Sequence, residues 1–249
     1  EGNRKDELAQ LAITFNEMLT NLEIAFKSQE DFVSNASHEL RTPLTVMIGE
    51  SDYFLSRERN KKEYIDHISG LNNDLKTLNA LINSLLELAR INKDKSIVFS
   101  DVRIDEIIFS AIQEVSTRYK GRKIVPKIQY PESRNELLVK GDFGILVIAF
   151  KNLLDNACKF SHEDVGVEFV ITDKLINIII SDKGIGIPAD EVENIYKPFK
   201  RASNVKYIGG FGIGLSLVSK IIELHDAEFK ISSKENEGTI IEVSFKRLH

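Results

Sequence analysis

The stretch FVSNASHELRTPLT, residues 32–45, decides the fold expected for the first third of the chain, because it sets a histidine and a proline inside a helical pattern. Pro43 cannot donate a backbone hydrogen bond to the carbonyl of Glu39, so we expect the helix to bend beside His38. A lone histidine on a helix is more often a solvated or structural side chain than a site of chemistry. The residues around His38 therefore have to indicate whether its role is structural or chemical.

Apolar residues upstream of this stretch recur in alternating steps of three and four. They are Leu8, Leu11, Phe15, Met18, Leu22 and Ala25, and Phe32 continues the same phase. This spacing predicts a coiled-coil seam. After the polar segment RERNK, residues 57–61, the spacing resumes from Tyr64 to Ala89 and predicts a second long helix.

Two long helices joined by a short polar turn predict an antiparallel hairpin whose seams need covering by a second hairpin. We therefore expect an all-α region that forms a dimeric four-helix bundle, and hence a homodimer. A structural coiled-coil dimer without any chemistry would satisfy the same pattern.

The composition excludes several classes of protein. A net charge of −5, with no long basic block, argues against a nucleic-acid-binding surface. The single Cys158 cannot form an intrachain disulfide, and no Cys/His cluster suggests zinc. The apolar runs at 145–150 and 175–180 are much shorter than the roughly 20 residues of a membrane span. Nothing in the cysteine content demands an oxidising compartment, so we expect cytosolic exposure, with membrane contact only through segments upstream of residue 1.

Beyond residue 96 the pattern changes to alternating strands and helices. Strands are predicted at 96–99, 123–129, 136–140, 165–172, 175–181, 227–232 and 239–245, and helices at 103–118, 142–159 and 212–225. Several consecutive strands are joined by short turns. We therefore expect an α+β fold, an α/β sandwich with a mixed, mostly antiparallel sheet covered by helices on one face.

Three polar clusters in this second part do not fit a simple core. Asn152, Asn156 and Lys159 share one stripe of a helix. In SDKGIGIP, residues 181–188, a strand ends in an aspartate followed by two glycines. In GGFGIGLSLV, residues 209–218, glycines precede an apolar helix whose free N–H groups suit an anion. A Rossmann site would need its glycines directly after a strand, and here they follow a loop.

Taken in order, these segments resemble bacterial sensor histidine kinases. Residues 32–45 resemble the phosphoacceptor box, NLLDNACKF (152–160) the N box, DKGIGIP (182–188) the first glycine box, IYKPFKR (195–201) the F box, GGFGIGL (209–215) the second glycine box and EGTIIEVSF (237–245) the third. Residues 3–23 resemble the second helix of a HAMP module. The resemblance implies a HAMP-like helix at 1–28, a dimerisation and phosphotransfer domain at 29–94, and at 95–249 an ATP-binding domain of the gyrase, Hsp90, histidine kinase and MutL superfamily.

The resemblance implies that ATP phosphorylates His38, and that the phosphoryl group passes to an aspartate of a response regulator. Neutral imidazole is a good nucleophile near neutral pH. Glu39 would orient His38 and accept its proton, and Thr42, one turn further on, would orient water for a phosphatase reaction on the regulator. Two alternatives are a nucleotide hydrolase of the gyrase and Hsp90 group and a non-catalytic dimeric scaffold.

In the ATP site the resemblance assigns each residue a part of the nucleotide. Asn156 would ligate Mg²⁺, Lys159 and Arg201 would contact phosphate, and Asp182 would select adenine. Asn152 stands where hydrolysing relatives carry a glutamate, and an amide is a poor base. The remaining nucleotide-binding positions are Gly184 and Gly186 beside the base, Gly210, Gly212 and Gly214 with N–H groups toward phosphate, and Thr239 in the third glycine box.

Two positions depart from the family pattern. Tyr196 replaces the first phenylalanine of the F box, and Phe211 stands between the lid glycines. We expect the lid, residues 196–210, to be mobile without nucleotide. Of the other side chains, we expect His67 to be solvated, His225 to be a cation at a helix end, and Cys158 to be a small buried apolar residue.

Overall fold

The structure of the chain is a computed structural model that describes residues 4–93, 97–119, 121–128, 137–205 and 208–248. It divides into two compact units, Glu1–Asn79 and Ala80–His249. The predicted domain boundaries and the HAMP resemblance stay predictions. Among the described helices, none combines the length and the hydropathy needed to cross a membrane.

Two long helices make up the N-terminal region, as predicted: α1, Arg4–Leu55, and α2, Lys61–Lys93. The turn between them falls in the predicted polar segment. Asn60 starts α2 with a capping box, because the N–H of Glu63 donates to Asn60 Oδ1 at 3.0 Å and the N–H of Asn60 donates to Glu63 Oε2 at 2.9 Å. This reciprocal pair satisfies two N–H groups that the first turn of a helix leaves free.

The seam of α1 lies on the surface of the single chain. Leu22 is 51% exposed, and Leu11, Phe15 and Met18 are exposed to a similar extent. Apolar side chains in this arrangement are what a seam that pairs with a second copy requires. The homodimer and its four-helix bundle stay predictions.

His67 is not solvated, contrary to expectation. Its ring stacks on Phe54 with centroids 3.8 Å apart and planes 3° from parallel. Arg59 covers the same cluster, with its guanidinium carbon 4.7 Å from the Phe54 centroid. Phe54 and Arg59 thus leave the ring of His67 half-buried.

The second unit contains the predicted α+β fold. Its elements after α2 are β1 Ser100–Arg103, α3 Ile104–Ser116, β2 Ile124–Ile128, β3 Leu138–Gly141, α4 Phe143–Phe160, β4 Val165–Ile171, β5 Leu175–Asp182, α5 Gly214–Leu224, β6 Glu228–Lys234 and β7 Gly238–Lys246. A five-stranded sheet has the order β2-β4-β5-β7-β6, in which only the β2–β4 pair is parallel. β1 and β3 form a separate antiparallel pair. The prediction of a mixed, mostly antiparallel sheet is confirmed.

The core lies between one face of the sheet and the apolar faces of the three helices. Along β5, Ile176, Ile178 and Ile180 are buried and alternate with partly exposed residues. Phe150 of α4 meets Phe245 of β7 at a centroid distance of 6.2 Å. Buried apolar residues alternate along the strands and recur every three or four residues along the helices. The apolar side chains of the sheet and of the helices therefore meet in one layer.

The first predicted strand was misplaced. Residues 97–99 have no regular structure and Val98 is 77% exposed, whereas β1 begins at Ser100. β1 is fixed by its pairing with β3, in which Val102 opposes Val139 and both are buried. Residues 96, 129 and 136 of the predicted strands lie outside the described residues.

Candidate active site

Helix α4 carries the polar stripe that the sequence predicted. Its N-terminus is capped by Asp142, whose Oδ1 accepts from the N–H of Ile145 at 2.9 Å. Asn152, Asn156 and Lys159 are half-buried on this helix, whereas Leu153, Leu154, Ala157 and Cys158 are buried in the core. The amphipathic spacing of the helix thus fixes two amides and an ammonium along one line.

Gly214, the first residue of α5, meets this stripe. A Cβ on Gly214 would lie 3.1 Å from Asn152 Oδ1 and 3.9 Å from Asn156 Nδ2. Asn152 is held by a 2.8 Å hydrogen bond from its Nδ2 to the carbonyl of Ile148. Since the N-terminus of a helix carries free N–H groups and partial positive charge, an anion is favoured where α5 approaches the two asparagines.

Two cations lie near each other beside the same glycines. A Cβ on Gly210 would lie 2.6 Å from Lys159 Nζ. Burial lowers the pKa of Lys159, the negative charge of Asp155 raises it, and the positive charge of Arg201 lowers it again. Arg201 lies at the same glycine box, because a Cβ on Gly212 would lie 3.0 Å from its Cγ.

Arg201 binds the backbone of its own segment. Its Nη2 donates to the carbonyl of Val205 at 2.6 Å and to that of Ile208. Gly212 closes the base of the segment, because its carbonyl accepts from the N–H of Phe199 at 2.9 Å. A Cβ on Gly212 would lie 2.6 Å from the carbonyl oxygen of Lys200, and its φ of +71° favours glycine. Phosphate contacts by Arg201 and Gly212 stay predictions.

Asp182 ends β5 at the edge of the same region. Its Oδ1 accepts from the N–H of Gly184 at 2.8 Å. Burial raises the pKa of Asp182, while hydrogen bonds from the backbone of Gly184 and Thr239 lower it. Thr239 is the β7 residue that pairs with Asp182. The N–H of Gly184 therefore holds this half-buried carboxyl group, and the backbone donors offset part of the rise in pKa that burial causes.

The glycines of the first glycine box allow close backbone approach. A Cβ on Gly184 would lie 2.3 Å from the carbonyl oxygen of Phe160, at the end of α4. Gly186 has a φ of +63°, and its Cβ would lie 2.0 Å from the carbonyl oxygen of Lys234. Only glycine fits at these two positions, and together they bring the loop after β5 against α4 and the β6–β7 turn.

The sequence missed Ser233, which together with Gly238 completes the support of this loop. Ser233 Oγ accepts from the N–H of Ile187 at 2.9 Å, donates to the carbonyl of Gly238 at 2.8 Å and lies 2.9 Å from Thr239 Oγ1. A Cβ on Gly238 would lie 2.0 Å from the carbonyl oxygen of Asp182. Gly238 belongs to the third box, but nothing in the sequence pointed to Ser233.

His38 lies exposed in the middle of α1, in the first unit. Thr42 Oγ1 donates to the carbonyl of His38 at 3.1 Å. The hydroxyl hydrogen of Thr42 is therefore engaged, and its oxygen lone pairs are the groups to which a water could donate. Helix α1 continues through Pro43 to Leu55.

Comparison with known proteins matches both parts of the chain to families. Residues 28–94 match the His Kinase A (phospho-acceptor) domain, and residues 141–249 match the histidine kinase-, DNA gyrase B- and HSP90-like ATPase family. The chain belongs to the histidine kinases. The predicted family is confirmed.

Curated relatives of this histidine kinase carry the same assignment. The chain is 29% identical over 248 residues to the sensor histidine kinase YkoH of Bacillus subtilis, covering 98% of the chain and 54% of the relative. It is 33% identical over 253 residues to the signal transduction histidine-protein kinase ArlS of Staphylococcus aureus, covering 96% and 54%. The chain thus spans about half the length of the curated relatives that it matches.

Solved structures share the fold. Acinetobacter baumannii histidine kinase AdeS matches with a TM-score of 0.66 at 20% identity, over 85% of this chain and 98% of that one. Histidine kinase ThkA, solved in complex with response regulator protein TrrA, matches with a TM-score of 0.68 at 18% identity, over 88% and 61%. The mycobacterial sensor histidine kinase MprB matches with a TM-score of 0.53 at 25% identity, over 60% and 98%.

The F-box departure in this histidine kinase has a structural role. The ring of Tyr196 packs edge to face on Phe229 of β6, with centroids 5.7 Å apart. Burial raises the pKa of Tyr196, and a hydrogen bond from the backbone of Ile231 lowers it. The ring of Tyr196 thus packs the start of the lid against β6. Phe211, the second departure, is half-buried.

His225 ends α5, but it is not a cation as we expected. Its Nε2 accepts from the N–H of Asp142 at 3.1 Å, and its Nδ1 lies 2.7 Å from the carbonyl of Ile221. Only the neutral ring with a proton on Nδ1 makes both bonds. Burial lowers the pKa of His225, against smaller opposing effects of the Ile221 carbonyl and Asp142.

Cys158 fulfils the expectation of a small buried residue in this histidine kinase. Its side chain is fully buried on α4, and burial raises the pKa of its thiol to about 11. A thiol in this state is a poor nucleophile.

Proposed function

We propose that this chain is the kinase portion of a sensor histidine kinase, which phosphorylates its own His38 from ATP and Mg²⁺. The observation that carries the proposal is the meeting of the α4 stripe with the glycine N-terminus of α5. This arrangement supplies two amides, a lysine and free helix N–H groups to one place. The phosphoacceptor box with its exposed histidine stands in the same chain.

Adenine is the base that suits Asp182. A carboxylate held by two backbone N–H groups accepts from the exocyclic amine of adenine and repels the carbonyl oxygen that guanine has there. Lys159 and the N-terminus of α5 then face the phosphates. This geometry supports a preference for ATP over GTP.

The residues present fit a magnesium ion that is bound mainly through the nucleotide. Asn156 offers an amide oxygen, a donor that hard cations prefer. No group of three or more His, Cys, Asp or Glu residues capable of holding a metal occurs within the described ranges. Mg²⁺ typically binds few protein ligands together with phosphate oxygens and water. When bound, it would neutralise the charge of the phosphates.

In the transfer step the unprotonated ring nitrogen of His38 attacks the γ-phosphorus of ATP. The bond from the γ-phosphorus to the β–γ bridging oxygen breaks, ADP leaves with that electron pair, and Glu39 accepts the proton from the other ring nitrogen. The phosphoryl group then passes to an aspartate carboxylate of a response regulator. The complex of ThkA with TrrA supports such a partner.

Thr42 and the apolar seam carry two further parts of the proposal. Thr42 would orient the water that removes phosphate from the regulator, because its lone pairs remain available. The exposed seam of α1 would pair two copies. We also infer a receptor whose sensor and membrane segments lie upstream of this chain, with this portion on the cytoplasmic side.

Labelling with γ-³²P-ATP and Mg²⁺ tests the proposal against the two alternatives. Acid-labile, base-stable label on the protein is expected, since phosphohistidine has that behaviour. Free phosphate without label would support a hydrolase, and neither product would support a scaffold. His38→Gln should abolish the label. Label that persists in this variant would contradict the assignment of His38.

A further inference from the structure

A short 3₁₀ turn, Ser203–Val205, lies in the lid between the F box and the second glycine box. Both the N–H and the hydroxyl of Ser203 donate to Glu191 Oε2, at 2.9 and 3.1 Å. Val205, at the other end of the turn, is buried. The turn is therefore attached to the body of the domain.

Asn204, in the middle of the turn, attaches it to the first glycine box. Its Nδ2 donates to the carbonyl of Gly186 at 3.0 Å. That carbonyl is held in a fixed frame, because Gly186 packs against Lys234 and the next N–H, of Ile187, donates to Ser233. The amide of Asn204 thus fixes the turn to a rigid part of the nucleotide region.

The two polar atoms of the Asn204 side chain differ in their hydrogen bonding. Asn204 Oδ1 is buried and has no hydrogen-bond partner in the described part of the chain. Burying an acceptor without a partner costs free energy that an apolar side chain would avoid. An asparagine is therefore explained here by the hydrogen bond that its N–H group donates to Gly186.

The 3₁₀ turn also positions Arg201. The guanidinium donates to the carbonyl of Val205 at 2.6 Å and to that of Ile208, so the backbone after Asn204 sets where its charge lies. That charge acts on Lys159. Hydrogen bonds thus connect Gly186 to Asn204 and the end of the turn to the guanidinium of Arg201.

We propose that Asn204 is a positioning residue for phosphoryl transfer, acting through Arg201. The inference rests on the proposed function, since it takes ATP as the ligand. Base recognition at Asp182 does not involve Asn204, so its loss should affect the transfer step more than nucleotide binding. The expected fall in kcat is about threefold to tenfold, the range for one hydrogen bond between uncharged groups.

Three variants test the role of Asn204. Asn204→Ala removes the donor, and Asn204→Asp keeps the size of the side chain but removes the N–H groups. Asn194→Ala is the matched control, because the side chain of Asn194 lies exposed in the same region and accepts from the exposed Lys197, at 2.9 Å. Each variant is measured for kcat and KM of autophosphorylation, affinity for a fluorescent ADP analogue, and melting temperature.

Both Asn204 variants should lower kcat, with KM and ADP affinity changed by less than about twofold. The Asn194→Ala control should match the wild type. Full kcat in Asn204→Asp would overturn the proposal, and so would a loss of kcat that merely follows a loss of melting temperature or of ADP binding.

A double-mutant cycle tests whether Asn204 acts through Arg201. Adding Asn204→Ala to Arg201→Ala should lower kcat no further, because the group that Asn204 positions is already gone. Additive losses would overturn this step. Absence of label on the wild-type protein would instead contradict the proposed function, so the two failures are distinguishable.

Discussion

The pKa of the Asp182 carboxyl group depends on backbone partners that the sequence does not reveal. Burial raises the pKa of Asp182, and hydrogen bonds from the backbone of Gly184 and Thr239 oppose this rise without cancelling it. One of these donors is two residues away, and the other comes from a strand more than fifty residues later. The charge that would select adenine therefore depends on the pairing of β5 with β7.

Replacing Asp182 tests this selection. Asp182→Asn should lower ATP affinity about tenfold to a hundredfold, because a hydrogen bond to a charged acceptor is lost. GTP affinity should rise, since the new amide can donate to the carbonyl of guanine. Competition against a fluorescent nucleotide measures both. Asp101→Asn, at an exposed carboxylate paired with Lys140, is the control. Unchanged discrimination in Asp182→Asn would contradict the assignment.

At the residue scale the sequence predicted which polar side chains share a helix face, but not the partners of those side chains. The stripe of Asn152, Asn156 and Lys159 followed from helical spacing alone, because three residues on one helix share a face by geometry. Ser233 and the neutral state of His225 could not be predicted. Both depend on contacts with residues distant in sequence, Ile187 and Asp142.

At the scale of elements, His225 connects two helices of the nucleotide domain. It ends α5 and accepts from the N–H of Asp142, the residue that caps α4. Helix α4 carries the polar stripe, and α5 begins at the glycine that meets it. The ring of His225 therefore connects the C-terminus of α5 to the N-terminus of α4. The other end of α5, at Gly214, meets the polar stripe of α4.

His225 should make the stability of the domain depend on pH. Because its pKa in the folded state lies below the ordinary value of 6.5, the unfolded chain takes up a proton first as the pH falls. The stability from the neutral ring is thus present above pH 6.5 and is lost below it. His225→Leu should lower the free energy of unfolding by about 1–3 kcal/mol at high pH, since Asp142 loses its acceptor.

Urea denaturation of the wild type and His225→Leu at pH 8 and pH 5.5 measures this effect. The difference between the two proteins should be smaller at the lower pH. Comparing the two proteins at each pH cancels the other titrating groups. An equal difference at both pH values would show that the ring contributes by packing rather than by its charge state.

The strands show where sequence patterns reach their limit. Most strands of the second unit lie within a residue or two of prediction, because alternation marks a half-buried strand. β1 was misplaced, since Val98 and Phe99 looked like strand residues but have no pairing partner there. A four-residue strand is determined by its neighbour, here β3, more than by its own composition.

At the scale of the whole molecule, the periodicity of α1 predicts an association that a single chain cannot satisfy. Leu22 lies on the seam and is 51% exposed, and Ile24 lies off the seam and is 61% exposed. The seven-residue phase, rather than exposure, distinguishes the two positions.

Leu22→Glu should therefore weaken the dimer, raising its dissociation constant at least about tenfold, because a buried charge would replace an apolar contact. Ile24→Glu is the control and should leave the dimer unchanged. Sedimentation velocity over a range of concentrations measures both. Equal dimerisation of the two variants would contradict the predicted seam.

The pairing of Asp182 with Thr239 also bears on how nucleotide choice could change during evolution. Side chains on a strand alternate between its two faces, so a slip of one residue between β5 and β7 would turn this carboxylate away from the adenine that we propose it recognises. We therefore expect insertions or deletions in either strand to disturb nucleotide binding more than a change of side chain does. We expect new nucleotide specificities to arise from exchanges of side chains that leave the pairing of β5 with β7 unchanged, because that pairing sets the face on which the carboxylate of Asp182 lies.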